Sequence, residues 1–411
     1  MQEDKSLKRS NHRALALIWP AAFADIFAFT IINPFLPRFY LDLGAPVARI
    51  GLLLAVNSFI GFFSGIFWGR MSDRFGRRPI LLICRLGSLA GYLVLAFSSS
   101  IAMIIVSRVI DGIFSRSILV TLTAVGDTVS EEHRSMEMSK VGIPWIAGGL
   151  VGPAIGGSLS AFGLTGIGLA CALISLFTFA ATLFTFKETH PILRHKDSTN
   201  LVKEHQSAPQ GIFALLKQHN PKVLLSLNFF AFLSHIIFIT TATLYLTERF
   251  GLTIGRIGVL YTMTGSINLT VRLIIFPSVL RRLGDRRTFR LGLAAFVIAF
   301  TMLIFTTQLW QFVIISALVS FGATCSVDVM HGMMSRSVHR QEQGQIMGLN
   351  AMVESVSFVL GPIIGSFLLS LENLKFYPMP SIFISLIALA ISLVPLAQVS
   401  DHTPDFSAVK N

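Results

Sequence analysis

The stretch "GRMSDRFGRRPILL", residues 69–82, sets Arg70, Asp73, Arg74, Arg77 and Arg78 between two long apolar runs. A dense cationic turn in that setting reads as a connection between bilayer-crossing helices, held at the water's edge by its charge. Composition points the same way. Of 411 residues, 53% are hydrophobic and 13% charged, and the mean hydropathy is +0.69. A soluble protein of this length needs far more polar surface. A bilayer core about 30 Å thick takes roughly 20 apolar residues per helical crossing, and runs of that length recur along the chain. Strand-like alternation is absent, which argues against an outer-membrane barrel.

Outward from the turn, the apolar runs predict helices at about 14–38, 49–69, 79–98, 100–123, 138–162 and 164–186. A second set follows at about 221–248, 255–278, 289–307, 311–335, 344–371 and 378–399. The expected fold is an all-α polytopic membrane protein, with twelve transmembrane helices as two pseudo-symmetric six-helix bundles. The domains are then 1–186, a polar linker at 187–220 ("KETHPILRHKDSTNLVKEHQSAPQG" in its core), and 221–411. At the N-terminus, Ala22-Phe23-Ala24 resembles a leader cleavage site. The apolar character continues past it to about residue 37, so an uncleaved first helix is expected.

Most of the 33 Lys and Arg fall in connections on the side shared by both termini. That imbalance predicts an integral, multi-pass protein of the plasma (inner) membrane with both termini cytoplasmic. It also explains the net charge of +12. Nucleic acid is not an expected partner, because no basic face is interleaved with aromatics. Cys84, Cys171 and Cys325 stand alone, without CxxC or metal-type spacing. No P-loop, HExxH or extramembrane catalytic domain is present, so no enzyme, cofactor or metal is expected.

The halves look duplicated. "GRMSDRFGRRP" at 69–79 has a weaker partner in "RRLGDRRTFR" at 281–290, setting Asp73 against Asp285; "GPAIGG" at 152–157 matches "GPIIGS" at 361–366; "EEHRSMEMS" at 131–139 matches "QEQGQIMGL" at 341–349. The offset stays at about 210 residues, as parallel transporter repeats require.

These residues resemble the major facilitator superfamily, and within it the twelve-helix drug/proton antiporters. Gly69, Asp73, Arg74, Gly76, Arg77 and Arg78 match the signature between the second and third crossings. The resemblance implies a gating latch. Its Asp caps a helix of the other half, and the arginine that follows pairs with an acid ending the fourth crossing, where Asp127 stands. "RVIDG", from Arg108 to Gly112, resembles the motif whose arginine the family associates with proton transfer. "GGLVGPAIGG" matches the antiporter motif through Gly148, Gly152, Pro153, Gly156 and Gly157, with Gly361 and Pro362 as the second-half echo. Asp25 followed by "IINPFLP" is similar to the tetracycline/proton antiporters, from which Gly91 departs, since they carry an acid there. Family members act as monomers on small molecules and protons within the lipid bilayer.

Independently of any family, Asp25, Arg108, Asp111, Arg116, Arg272, Asp328 and Glu354 fall inside predicted crossings. Facing lipid, they cost about 2.5–3.5 kcal/mol each, on the order of 20 kcal/mol together. They must therefore pair or line a hydrated cavity. Asp25 and Glu354 lie about 15–17 Å into their helices, near the midplane, and His331 shares a helical face with Asp328. These are the expected proton-coupling or substrate-cavity residues, with static ion pairing as the competing role. The expected activity is proton-coupled efflux of small amphipathic compounds by alternating access, with proton-coupled import of a metabolite as the alternative.

Overall fold

A computed structural model describes residues 23–115, 117–128, 142–186, 188–189, 219–338, 342–371 and 373–394. Arg116, the stretch 131–139, the start of the first predicted helix and most of the 187–220 linker lie outside the described residues. The described chain is helical. In order come α1 (23–32), α2 (Leu36–Asp42), α3 (Val47–Phe75), α4 (Arg77–Ala96), α5 (Ile101–Phe114), α6 (Ser117–Thr128), α7 (Gly142–Leu159) and α8 (Gly163–Thr185). Then follow α9 (His219–Phe250), α10 (Ile254–Thr270), α11 (Phe276–Ile304), α12 (Leu309–Ala323), α13 (Val329–Arg336), α14 (Gln343–Leu369) and α15 (Met379–Ile391). Two π-helical segments, Val271–Ile275 and Thr324–Asp328, join α10 to α11 and α12 to α13.

Eight stretches among the described residues are long and apolar enough to cross a bilayer. One of them, Ile254–Ile304, has 51 residues. At 1.5 Å per residue that is about 75 Å of helix, twice what a bilayer accommodates. Gly284 breaks it, with φ of 70° inside α11. Gly76, at φ 98°, makes the same turn between α3 and α4. Glycine alone takes this backbone without strain. Large side chains such as Phe184, Phe177, Leu173 and Trp310 remain exposed. Water would not tolerate such a surface, whereas acyl chains cover it.

The chain forms two compact units. One comprises Met1–Ala45, Val56–His205 and Leu252–Thr262; the other comprises Pro46–Ala55, Gln206–Gly251 and Met263–Asn411. In the first, α4 packs against α5, α6 and α8. Gly168 lets α8 close on Ala96, where a Cβ would lie 2.6 Å from its Cα. Trp68, Leu81, Cys84, Val120 and Phe186 form a buried core, and the Trp68 indole donates to the Ile113 carbonyl at 2.5 Å. In the second unit, α9 packs on α14 and α15. Tyr245 stacks on Tyr377 and Phe312 at 5.3 and 6.1 Å, and the Tyr377 hydroxyl meets Thr241 at 2.9 Å.

Registered on the two glycine turns, the sequence match of the halves needs one correction. Gly76 precedes Arg77 and Gly284 precedes Asp285. The counterpart of Asp285 is thus Arg77, and its pairing with Asp73 is displaced by one helical turn. Sequence similarity aligned the like-charged residues, whereas the backbone aligns the turn.

Candidate functional site

Left-handed backbone at Gly76 starts α4 abruptly and leaves its first amides without intrahelical acceptors. The Glu188 carboxylate takes the N–H of Arg77 at 2.9 Å and that of Arg78 at 3.1 Å. Negative charge also suits a helix N-terminus. The Arg77 guanidinium, 7% exposed, donates to Asp73 Oδ1 at 2.5 Å, Ser72 Oγ at 2.7 Å and Asp127 Oδ2 at 2.9 Å. Asp127 is thus engaged by Arg77. Arg74 instead lies over the Phe75 ring, 5.4 Å from its centroid. Arg78 donates to the Leu183 carbonyl, and the Gly69 carbonyl accepts from Ser72. In the second unit the equivalent contact has inverted polarity. Asp285, opening the helix after Gly284, pairs with Arg336 at the end of α13.

Deeper in the first unit, every described acid has its own arginine. Arg85, 3% exposed, brings Nε to 3.6 Å from Asp25 Oδ2 and donates to the Thr178 carbonyl at 3.3 Å. Arg108 lies 3.3 Å from Asp111 Oδ2, with side chains 4% and 1% exposed. Asn57 donates to Asp111 at 2.8 Å and to the Arg108 carbonyl at 3.3 Å. The Arg108 guanidinium also lies 5.7 Å over the Tyr92 ring. Charges removed from water need this matched pairing.

The second unit is built differently. Arg272 and Asp328 each sit on a π-helical segment, and their side chains meet at 2.6 Å. One extra residue per turn displaces side chains from the ordinary helical faces, and such segments concentrate at functional sites. One turn beyond Asp328, His331 Nε2 contacts Glu354 Oε1 at 2.7 Å. Asn350 Nδ2 donates to the same oxygen at 2.8 Å and Asn228 Nδ2 at 3.4 Å, while Asn228 also donates to Asn350 Oδ1 at 2.6 Å. All described contacts of this carboxylate converge on Oε1. Side-chain exposure here reaches 43% at His331 and 23% at Glu354.

Glycines set the close helix approaches. Gly148 and Gly152 of α7 face Thr30, where an added Cβ would lie 2.8 and 2.5 Å from Oγ1. Gly156 abuts the Ile31 carbonyl and the Phe35 ring. Gly157 faces Gly258 of α10, which also approaches the Pro153 carbonyl. In the second unit Gly361 abuts Ile236 of α9, and Gly51 packs on the Pro362 carbonyl. Ser366 Oγ accepts from the Gly51 N–H at 2.9 Å.

Of the candidate residues, Asp73, Arg77 and Asp127 come together, as do Arg108 with Asp111, Arg272 with Asp328, and His331 with Glu354. Asp25 joins Arg85, which the sequence reading missed. Arg85 meets the criterion that found the others, a charge within an apolar run, but the cationic turn just before it masked that signal. Glu188, Asn57, Asn228 and Asn350 were also missed, and nothing in their local sequence marks them.

A family model described as Major Facilitator Superfamily matches residues 18–275 and 224–408. The chain belongs to the Major Facilitator Superfamily. Among its relatives, the class B tetracycline resistance protein of Escherichia coli is 27% identical over 343 residues, covering 83% of this chain and 84% of that protein. Multidrug resistance protein 2 of Bacillus subtilis (strain 168) is 22% identical, covering 90% and 92%. The solved human organic anion transporter MFSD10 (TETRAN) superposes with a TM-score of 0.68 at 20% identity, covering 93% of this chain and 99% of that one. That likeness carries the two-domain fold of the Major Facilitator Superfamily. As a member, the protein is an integral membrane transporter of small molecules and not an enzyme.

Proposed function

We propose that the protein is a proton-coupled exporter of small amphipathic compounds, working by alternating access. The names of the relatives, tetracycline and multidrug resistance proteins, support export. The observation that carries proton coupling is the Glu354 carboxylate, accessible on a predicted crossing and partnered by a titratable His331. A pH difference of one unit across the membrane supplies about 1.4 kcal/mol per proton, which sustains a substrate gradient of roughly tenfold.

In this reading the domains are 1–186, the linker 187–220 and 221–411. The chain lies in the plasma (inner) membrane with both termini cytoplasmic and works as a monomer. Pairs at the α3–α4 and α11 turns serve as gating contacts, and the glycine seams of α7 and α14 let helices slide. Growth of a pump-deficient bacterium on a compound panel tests the proposal. Wild type confers resistance, whereas Glu354→Gln and Asp25→Asn reduce it. Equal resistance in wild type and Glu354→Gln refutes proton coupling through Glu354. Accumulation of substrate together with protons in oriented vesicles refutes export.

A further inference from the structure

Resting on that export reading, we propose that the His331–Glu354 pair is the single proton-exchange site, and that it trades its proton for an organic monocation received at Glu354 Oε2. Charge balance among the described residues carries the inference. In the first unit Asp25 faces Arg85 and Asp111 faces Arg108. Arginine stays charged at any working pH, so both pairs are neutral without a proton. In the second unit Arg272 balances Asp328. Glu354 remains, and its partner is a histidine. With His331 neutral, the Arg272–Asp328–His331–Glu354 cluster carries one net negative charge. With His331 protonated, it carries none.

The groups around the pair leave this balance intact. The charged groups that bear on His331 are Glu354, Asp328 and Arg272. From α9 and α14 the facing groups are the amides of Asn228 and Asn350. The helix α11, which also packs on α13, engages its Asp285 with Arg336.

Atom by atom, both amides donate to Oε1, and His331 Nε2–H completes the set. The incoming proton therefore bonds to His331 Nδ1, turning imidazole into imidazolium; it comes from hydronium, leaving water. Oε2 is the carboxylate oxygen outside that set, and a substrate cation meets it there. Cation plus imidazolium would give the cluster a net positive charge in a low-dielectric setting, so the two occupants exclude each other.

Full-length protein in detergent, with tetraphenylphosphonium as the probe, tests this by equilibrium dialysis from pH 5 to 8. Proton release is followed by an indicator dye in weak buffer. Wild type is expected to lose about tenfold in affinity per pH unit below its midpoint, releasing one proton per cation bound there. Glu354→Asp keeps the release, and Glu354→Gln loses it. His331→Gln moves the midpoint down. Asp25→Asn keeps the release, whatever its affinity. Failure of wild type to bind the cation, proton release persisting in Glu354→Gln, or its loss in Asp25→Asn overturns the proposal. If Asp25→Asn alone abolishes release while the growth assay still shows coupled resistance, only this assignment falls. Accumulation of substrate together with protons in oriented vesicles removes the export reading itself.

Discussion

Arg85 and Asp25 show how a single side chain decides whether a buried charge is tolerable. Arg85 is 3% exposed and supplies the described cation facing Asp25, itself only 16% exposed. Replacing Arg85 by Gln removes this cation from beside a largely buried carboxylate. We expect a loss of about 3 kcal/mol, read as a lower thermal unfolding midpoint in detergent. Arg85→Lys, which keeps the charge and loses the planar fork, falls between the two. An unchanged midpoint in Arg85→Gln contradicts the pairing. Asp25 and Glu354 were legible in the sequence because an acid inside an apolar run is costly anywhere but a paired or hydrated site. Arg85 was hidden by company, since it follows Arg74, Arg77 and Arg78 so closely that it reads as the tail of the cationic turn. Asn57, Asn228 and Asn350 carry no formal charge, and a search for misplaced charges passes over them.

Helices were legible for a simple reason: lipid demands long apolar segments with their backbone bonds satisfied internally. The two π-helical segments were not, because widening one turn changes neither composition nor length. The glycine motif of α7 announced close packing, but its partners Thr30, Ile31 and Gly258 lie in segments with no pattern of their own. At Gly156, a leucine side chain would drive into the Ile31 carbonyl and the Phe35 ring. Gly156→Leu should separate α7 from α1, with clear destabilisation and loss of transport in vesicles. Gly149 on the same helix has nothing within 4 Å of an added Cβ. Gly149→Ala should keep transport and gain up to about 1 kcal/mol in unfolding measurements, the helix-propensity difference. Equal effects at the two positions would mean that the seam is not there.

The duplication of the whole chain was legible from its motifs, and its register was not. Similarity between charged turns placed Asp285 against Asp73, whereas the glycine backbone places it against Arg77. The two units therefore carry the same bridge with opposite polarity: arginine on the turn and acid opposite in one, the reverse in the other. Asp285→Arg alone sets two cations together and should reduce transport severalfold. Adding Arg336→Asp recreates the first unit's polarity and should restore most of it. A double variant no better than the single would show that the pair acts other than through mutual attraction.

Trp68 gives the first unit's bridge a built-in optical reporter. Its indole donates to the Ile113 carbonyl and packs on Phe114, in the core with Ile80 and Val125, which lie within three residues of Arg77 and Asp127 in the sequence. The chain has four tryptophans, at 19, 68, 145 and 310. Converting the other three to phenylalanine leaves one intrinsic fluorophore, whose emission colour and quenching follow the wetting of this end during turnover, with no dye attached.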